Sequence, residues 1–224
     1  MSPGPRGLAI LLLVSGHAHA TGGDDLGLSP TAVRLVQWTL ASADHGGRPF
    51  LVVDKRNARV HVLRSDGTLR GSAPALLGAA RGDHSVPGIG ERPLALVRPH
   101  ERTTPAGRFE AEMGRNLGGE DVLWVDYDAA VSLHRVRTTL PAQRRLQRLA
   151  SATSTDNRVS FGCINVPTDF FDRVLLPTIG VRAVVYVLPD TLPLEQVFPS
   201  VPSAASLSPT SWWLQPSPGP QPRG

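Results

Sequence analysis

The chain has 224 residues, with 23 basic and 19 acidic side chains for a net charge of +4, a single cysteine and 5% aromatic residues. That length fills one core and is short for two, while so few aromatics and so modest a charge argue against a nucleic-acid surface. One cysteine excludes an internal disulfide or a cysteine-pair zinc site, and with no His-Glu-x-x-His and no lysine-bearing glycine loop, neither metal nor cofactor is expected.

Met1–Ala20 reads as a secretory signal: Arg6 is the positive region, Leu8–Val14 the apolar run and Ala18-His19-Ala20 the small-x-small cleavage site. The run is far short of the ~20 apolar residues of a membrane span. No cysteine follows it to carry a lipid, and no later segment is apolar enough to cross a bilayer, so a soluble exported chain without an integral membrane segment is expected. His17 and His19 leave with the signal. Nearly all positive charge is arginine, since Lys55 is the only lysine. Such a chain could meet anionic wall polymers or carboxylates, and codon bias is an equal explanation.

Residues 21–47 form an N-terminal segment with one helix over Leu28–Leu40, with Ser29 as N-cap and Pro30 in the first turn. Asp44–Gly47 marks the boundary to a domain over 48–190. Phe50–Val53 and Val60–Leu63 are β-rich runs about a polar turn at Lys55–Ala58, which reads as a hairpin, and Asp66-Gly67 starts another turn. His61, flanked by Val60 and Val62, is expected on the solvent face. Gly78–Pro99 is rich in glycine and proline and reads as an irregular loop with His84 and His100 at its ends. Its Arg81-Gly82-Asp83 tripeptide is too short a match to carry a function.

Val122–Val125 and Ala130–Val136 read as strands joined by Asp126–Asp128, which puts His134 near a strand end. Pro141–Leu149 reads as a short helix with Leu146 and Leu149 on one side and Arg144, Arg145 and Arg148 largely on the other. A solvated charged face is the preferred reading, with a lid or a carboxylate-binding insertion as the alternative. Thr168 or Asp169 caps a helix through Phe170, Phe171, Val174 and Leu175, expected to stop before Pro177. Ala183–Leu188 is a strand. Residues 191–224 form a Pro/Ser-rich tail, expected to be disordered, in which Trp212-Trp213 is unusual.

The lone cysteine lies in Ser160-Phe161-Gly162-Cys163-Ile164-Asn165. Gly162 permits a tight turn and Ser160 can brace it, so Cys163 could be presented at a surface. The bland alternative is a small buried hydrophobe, although outside the cytoplasm an idle thiol is an oxidation hazard. A thiol ordinarily ionises near a pH of about 8.5, so a nucleophilic cysteine needs a base beside it. The amides of Phe161 and Cys163 are the candidate oxyanion donors. Arg158 and Asn165 either brace the loop or hold a substrate carboxylate or amide, and bracing is preferred.

The segment Ser160-x-Gly162-Cys163-Ile164-Asn165 resembles the Ser/Thr-His-Gly-Cys-hydrophobic-Asn signature of YkuD-type L,D-transpeptidases, bacterial cell-wall enzymes with a cysteine nucleophile. Thr104-Pro105-Ala106-Gly107-Arg108-Phe109 is similar to that family's Thr-Pro-x-Gly-x-Phe segment, and the likeness extends over Phe50 to Leu188. Two features depart from the pattern: Phe161 stands where a histidine is usual, and the upstream histidine is farther away.

The resemblance implies a mainly β (α+β) fold, an L,D-transpeptidase-like β-sandwich with a few short helices. It implies Cys163 as nucleophile, His134 as general base and acid, and peptidoglycan stem peptides as donor and acceptor in the periplasm or wall of a bacterium. A backbone carbonyl is the expected partner orienting His134. Two other readings stay open: an L,D-carboxypeptidase or other cysteine hydrolase of wall peptides, and a catalytically silent wall-binding domain.

Overall fold

Residues 27–203 are described by a computed structural model. The expected signal segment Met1–Ala20 and the Trp212-Trp213 pair lie outside the described residues. Helix α1 (Pro30–Ser42) starts where Ser29 and Pro30 predict, with Ser29 Oγ accepting from Ala32 N–H at 3.2 Å. Strands β1 (Phe50–Asp54) and β2 (Arg59–Leu63) form the expected antiparallel hairpin, followed by β3 (Leu69–Pro74) and the short β4 (Leu77–Gly78). After three 3₁₀ turns between Ile89 and Glu101 come β5 (Gly107–Arg115), β6 (Asp121–Asp126) and β7 (Val131–Arg135). The second half runs through α2 (Arg145–Leu149), β8 (Arg158–Ser160), β9 (Ile164–Val166), α3 (Thr168–Phe170), a π-helical turn (Phe171–Leu175), α4 (Leu176–Ile179), β10 (Arg182–Val187) and α5 (Leu194–Val197).

Eight strands form one sheet in the order β3-β2-β1-β10-β5-β6-β7-β9, and β4 with β8 forms a separate two-stranded ribbon. The fold is mainly β with short helices. Successive strand residues face opposite sides, and β1 and β10 are apolar without interruption because both of their faces are covered. Leu51, Val53, Val185 and Val187 point into a core shared with Phe170, Phe171, Leu175 and Ile179. Phe50, Val52, Val184 and Tyr186 point into a second core under α1, closed by Leu194, Phe198 and Val201. Each such fully buried side chain contributes about 1.5–3 kcal/mol. No helix of the described residues is long and apolar enough to cross a membrane.

Several expectations need correction. His61 is not on a solvent face: it is 0% exposed, with Nδ1 2.6 Å from Ser72 Oγ. The second core covers the side of β2 that a two-stranded hairpin would have left wet. Helix formation after Thr168 does not stop before Pro177 but continues to Ile179, because the π-helical turn precedes the proline and Pro177 falls in the first turn of α4, where no intrahelical N–H is needed. Residues 191–203 are packed rather than free, Leu194, Phe198 and Val201 being buried. The 141–149 segment is divided by Arg144, whose φ of 49° separates a 3₁₀ turn at Pro141–Gln143 from α2.

The site is positioned at one end of the sheet. There β7 and β9 run parallel with His134 opposite Asn165. The β4–β8 ribbon leads directly into the cysteine turn, and reciprocal backbone bonds of 2.8 and 2.9 Å between Leu76 and Asn165 tie it to β9.

Candidate active site

The turn that carries Cys163 depends on glycine. Gly162 has a φ of +140°, and a Cβ added there would lie 2.8 Å from the carbonyl oxygen of Thr103. Ser160, almost wholly buried, donates its hydroxyl to Cys163 O at 2.6 Å and accepts from Gly162 N–H at 3.1 Å. With Gly162 N–H so engaged, the amides of Phe161 and Cys163 are the turn's remaining donors. Thr104, first residue of the Thr-Pro-x-Gly-x-Phe segment, donates its hydroxyl to Gly162 O at 2.8 Å and accepts from Gly78 N–H at 2.9 Å.

Thr104 is itself anchored from behind. Lys55, fully buried, donates to Thr104 O at 2.8 Å, to Gly82 O at 2.7 Å and to Asp83 Oδ1 at 2.8 Å. Asp83 also accepts from the backbone N–H groups of Asp190, Thr191 and Leu192. These donors hold its carboxyl well below the usual carboxylate range against the opposing effect of burial. The only lysine and the aspartate of the Arg-Gly-Asp tripeptide thus clamp the irregular loop to the chain beyond β10.

Cys163 Sγ is half-buried and meets Ser132 Oγ at 3.7 Å and Ala130 O at 3.6 Å. Ser132 and His134 are two apart on β7 and share a face. His134 Nε2 lies 3.4 Å from Asn165 Nδ2, and Asn165 Nδ2 also donates to Cys163 O at 3.3 Å. Cys163, Asn165, Ser132 and His134 therefore line one face where β7 and β9 run side by side.

His134 Nδ1 is 2.7 Å from Arg135 O. A carbonyl only accepts, so Nδ1 carries the proton and the neutral ring presents the Nε2 lone pair. Burial pushes the imidazole pKa down, and the Arg137 and Arg145 charges push it further. The ring is therefore held neutral, in the state that can take a proton.

The remaining predicted residues fall into two groups. Asn165 is within the cluster, fully buried, and accepts at Oδ1 from Arg145 Nη1. Phe161 is half-buried and carries the Arg102 guanidinium 4.1 Å from its ring centroid. Arg158 points elsewhere, to Lys55 O at 2.7 Å and Asp190 Oδ2 at 2.9 Å, where it braces the loop. His84 and His100 are exposed at the loop ends, and His45 is buried with Nδ1 3.3 Å from Thr39 O.

Ser132 and Arg102 are site residues that sequence reasoning did not single out, whereas Arg145, expected on a solvated charged face, reaches the site through Asn165 Oδ1. For Ser132 the available signal was its two-residue spacing from His134. Among the described residues no group of acidic, histidine or cysteine side chains could hold a metal ion.

No protein-family model matches the chain, and no curated protein matches it. Among solved structures it is similar to the catalytic domain of an L,D-transpeptidase from E. faecium, at 18% identity and a TM-score of 0.38, over 63% of this chain and 98% of that one. A second is the helical cell shape determining protein Pgp2 of Campylobacter jejuni, at 12% identity and a TM-score of 0.44, over 71% and 57% of the two chains. A third is an L,D-transpeptidase from Xylanimonas cellulosilytica, at 14% identity and a TM-score of 0.37, over 63% and 60%. The match thus spans nearly all of the first protein and less than two thirds of the other two.

Proposed function

We propose that this protein is an exported cysteine acyltransferase that acts on peptidoglycan stem peptides by L,D-transpeptidation through a thioacyl-enzyme. The observation that carries the reading is a half-exposed thiol on a glycine-dependent turn, on the same face as a neutral histidine of fixed tautomer. The Ser160–Asn165 segment supplies the substrate class by its resemblance to the family signature.

In this reading His134 Nε2 accepts the thiol proton as Cys163 Sγ adds to the carbonyl of the residue that precedes a D-amino acid. The oxyanion is met by the amides of Phe161 and Cys163, and because backbone supplies them, phenylalanine at 161 serves as histidine would. The tetrahedral adduct collapses with cleavage of the C–N bond, and the imidazolium returns its proton to the departing amine. A second amine then attacks the thioester, His134 takes the proton from that amine, and the thiolate leaves and is reprotonated. The Arg135 carbonyl holds the ring through the cycle.

Incubation with tetrapeptide-bearing muropeptides, with products and adducts read by mass, tests the reading. The expected result is a thioacyl adduct on Cys163 and crosslinked product, both absent from Cys163→Ala. Turnover by the alanine variant would refute the assignment. Released D-amino acid without crosslinks would make the protein a hydrolase with the same nucleophile.

A further inference from the structure

We propose that Tyr127, stacked on Trp124, is a platform for a pyranose ring, so that the protein holds the glycan to which its peptide substrate is attached as well as the peptide. The platform stands on its own geometry, and only its link to the peptide rests on the acyl-transfer reading above. Four ring pairs are in contact among the described residues, and three of them join the buried rings of His45, Phe50, Tyr186 and Phe198. The fourth lies outside both cores: the rings of Trp124 and Tyr127 are stacked with centroids 5.0 Å apart and planes 23° apart, and Tyr127 is 67% exposed. No other phenylalanine, tyrosine or tryptophan of the described residues is exposed. Gly114 makes room for the pair, since a Cβ there would lie 2.9 Å from Trp124 Cδ1. The β6–β7 register shifts between Trp124 and Asp126, as at a β-bulge, a feature that re-aims side chains next to active sites.

The register joins this platform to the thiol. Trp124 stands opposite Glu112 on β5 and Ser132 on β7, and Ser132 Oγ meets Cys163 Sγ at 3.7 Å. Side chains directly opposite on neighbouring strands share a face, with Cβ atoms about 5 Å apart. On the turn itself Ala130 N–H donates to Tyr127 O at 3.1 Å, and Ala130 O is 3.6 Å from Sγ. A group on the platform is thus on the order of 10 Å from the nucleophile, a few residues of extended chain. Size and charge select the occupant. One exposed ring is far below the ~1,000 Å² that a protein partner needs. Asp126 and Asp128 beside Tyr127, with Glu112 opposite Trp124, repel the phosphates of a nucleic acid. A pyranose offers a flat face of C–H bonds to the ring and a rim of hydroxyls that donate to carboxylates.

The probe is a peptide-free oligomer of N-acetylglucosamine, titrated into the full chain and followed by the NMR signals of the Trp124 indole N–H and the Tyr127 ring. Both signals should move and saturate. Tyr127→Ala should weaken binding about 10-fold or more, and Tyr127→Phe, which keeps the ring face, should retain most of it. Because Tyr127 is exposed, neither change should unfold the chain, which thermal melting verifies. As acyl donor, a stem peptide linked to its disaccharide should exceed the same peptide without sugar about 10-fold in kcat/KM, and Tyr127→Ala should remove that advantage. Signals that stay still at both rings, or an affinity equal in the wild type and Tyr127→Ala, overturn the proposal. So does a platform that answers to lysine amide, an ammonium probe, and not to the sugar, which would make it a cation site. Sugar binding as expected in a protein that no stem peptide acylates would leave the platform standing and refute the acyl-transfer reading.

Discussion

Replacing His61 by glutamine should flatten the stability of this protein between about pH 6.5 and pH 4. His61 is wholly buried in β2, Nδ1 is satisfied by Ser72 Oγ at 2.6 Å, and Nε2 has no partner among the described residues. Burial above all holds its pKa down at about 4. Above the ordinary histidine value of about 6.5 the ring is neutral in folded and unfolded chains alike, and its contribution is fully present. As pH falls, the unfolded chain takes up a proton that the folded chain refuses until about pH 4, so stability drains away across that window. The gap, at about 1.4 kcal/mol per pH unit, amounts to about 3 kcal/mol.

Carboxylates behave differently in range though not in sign. Glu110, held at about 2 mainly by Arg48 and then Arg108, loses its contribution only below the ordinary glutamate value. His134, also lowered, is common to both proteins, so the difference between their curves isolates His61. Glutamine can keep a bond to Ser72 but cannot charge. Urea unfolding of both proteins at pH 7, 5.5 and 4 measures the effect. Parallel curves would refute the claim that a buried neutral imidazole sets this slope.

Three further outcomes follow from the geometry. Gly162→Ala places a Cβ 2.8 Å from Thr103 O at a φ of +140°, so it should cost ~1–3 kcal/mol in thermal melting and slow Cys163 alkylation, and wild-type values in both would show that the turn does not need glycine. His134→Gln should lower acyl transfer by about 10²- to 10⁴-fold. In the wild type, the acid limb of the pH–rate profile should lie below pH ~6.5, because the folded pKa is depressed; a limb above that value would contradict the neutral-base assignment. Lys55→Met removes the buried partner of Asp83 and one donor to each of two carbonyls. It should cost ~3–5 kcal/mol in urea unfolding, and an unchanged midpoint would mean that the backbone donors to Asp83 suffice.

Much of the local structure was legible in the residues themselves. Ser29-Pro30 starts α1, the apolar runs of β1 and β10 are strands, and Gly162 takes the φ that other residues avoid. Less legible was β5, at the centre of the sheet between β10 and β6. It alternates Phe109, Ala111 and Met113 with Arg108, Glu110 and Glu112, so its period is that of a strand. Alanine, glutamate and glycine have weak strand preference, and pairing with Val185 and Ala183 supplies what propensity lacks.

The sequence by itself determined several individual strands, the turn chemistry around Cys163 and the presence of a histidine near the end of a strand, because each depends on backbone preferences within a few residues. Only the tertiary structure decided that β7 lies parallel to β9, so that Ser132 meets Cys163 and His134 meets Asn165. It also decided that His61 is buried and that Arg145 donates to Asn165 at the site. Those outcomes depend on which distant surfaces cover a strand face or a helix side. A change of one residue in strand register would turn each side chain to the opposite face, and that register is set by packing across the whole sheet.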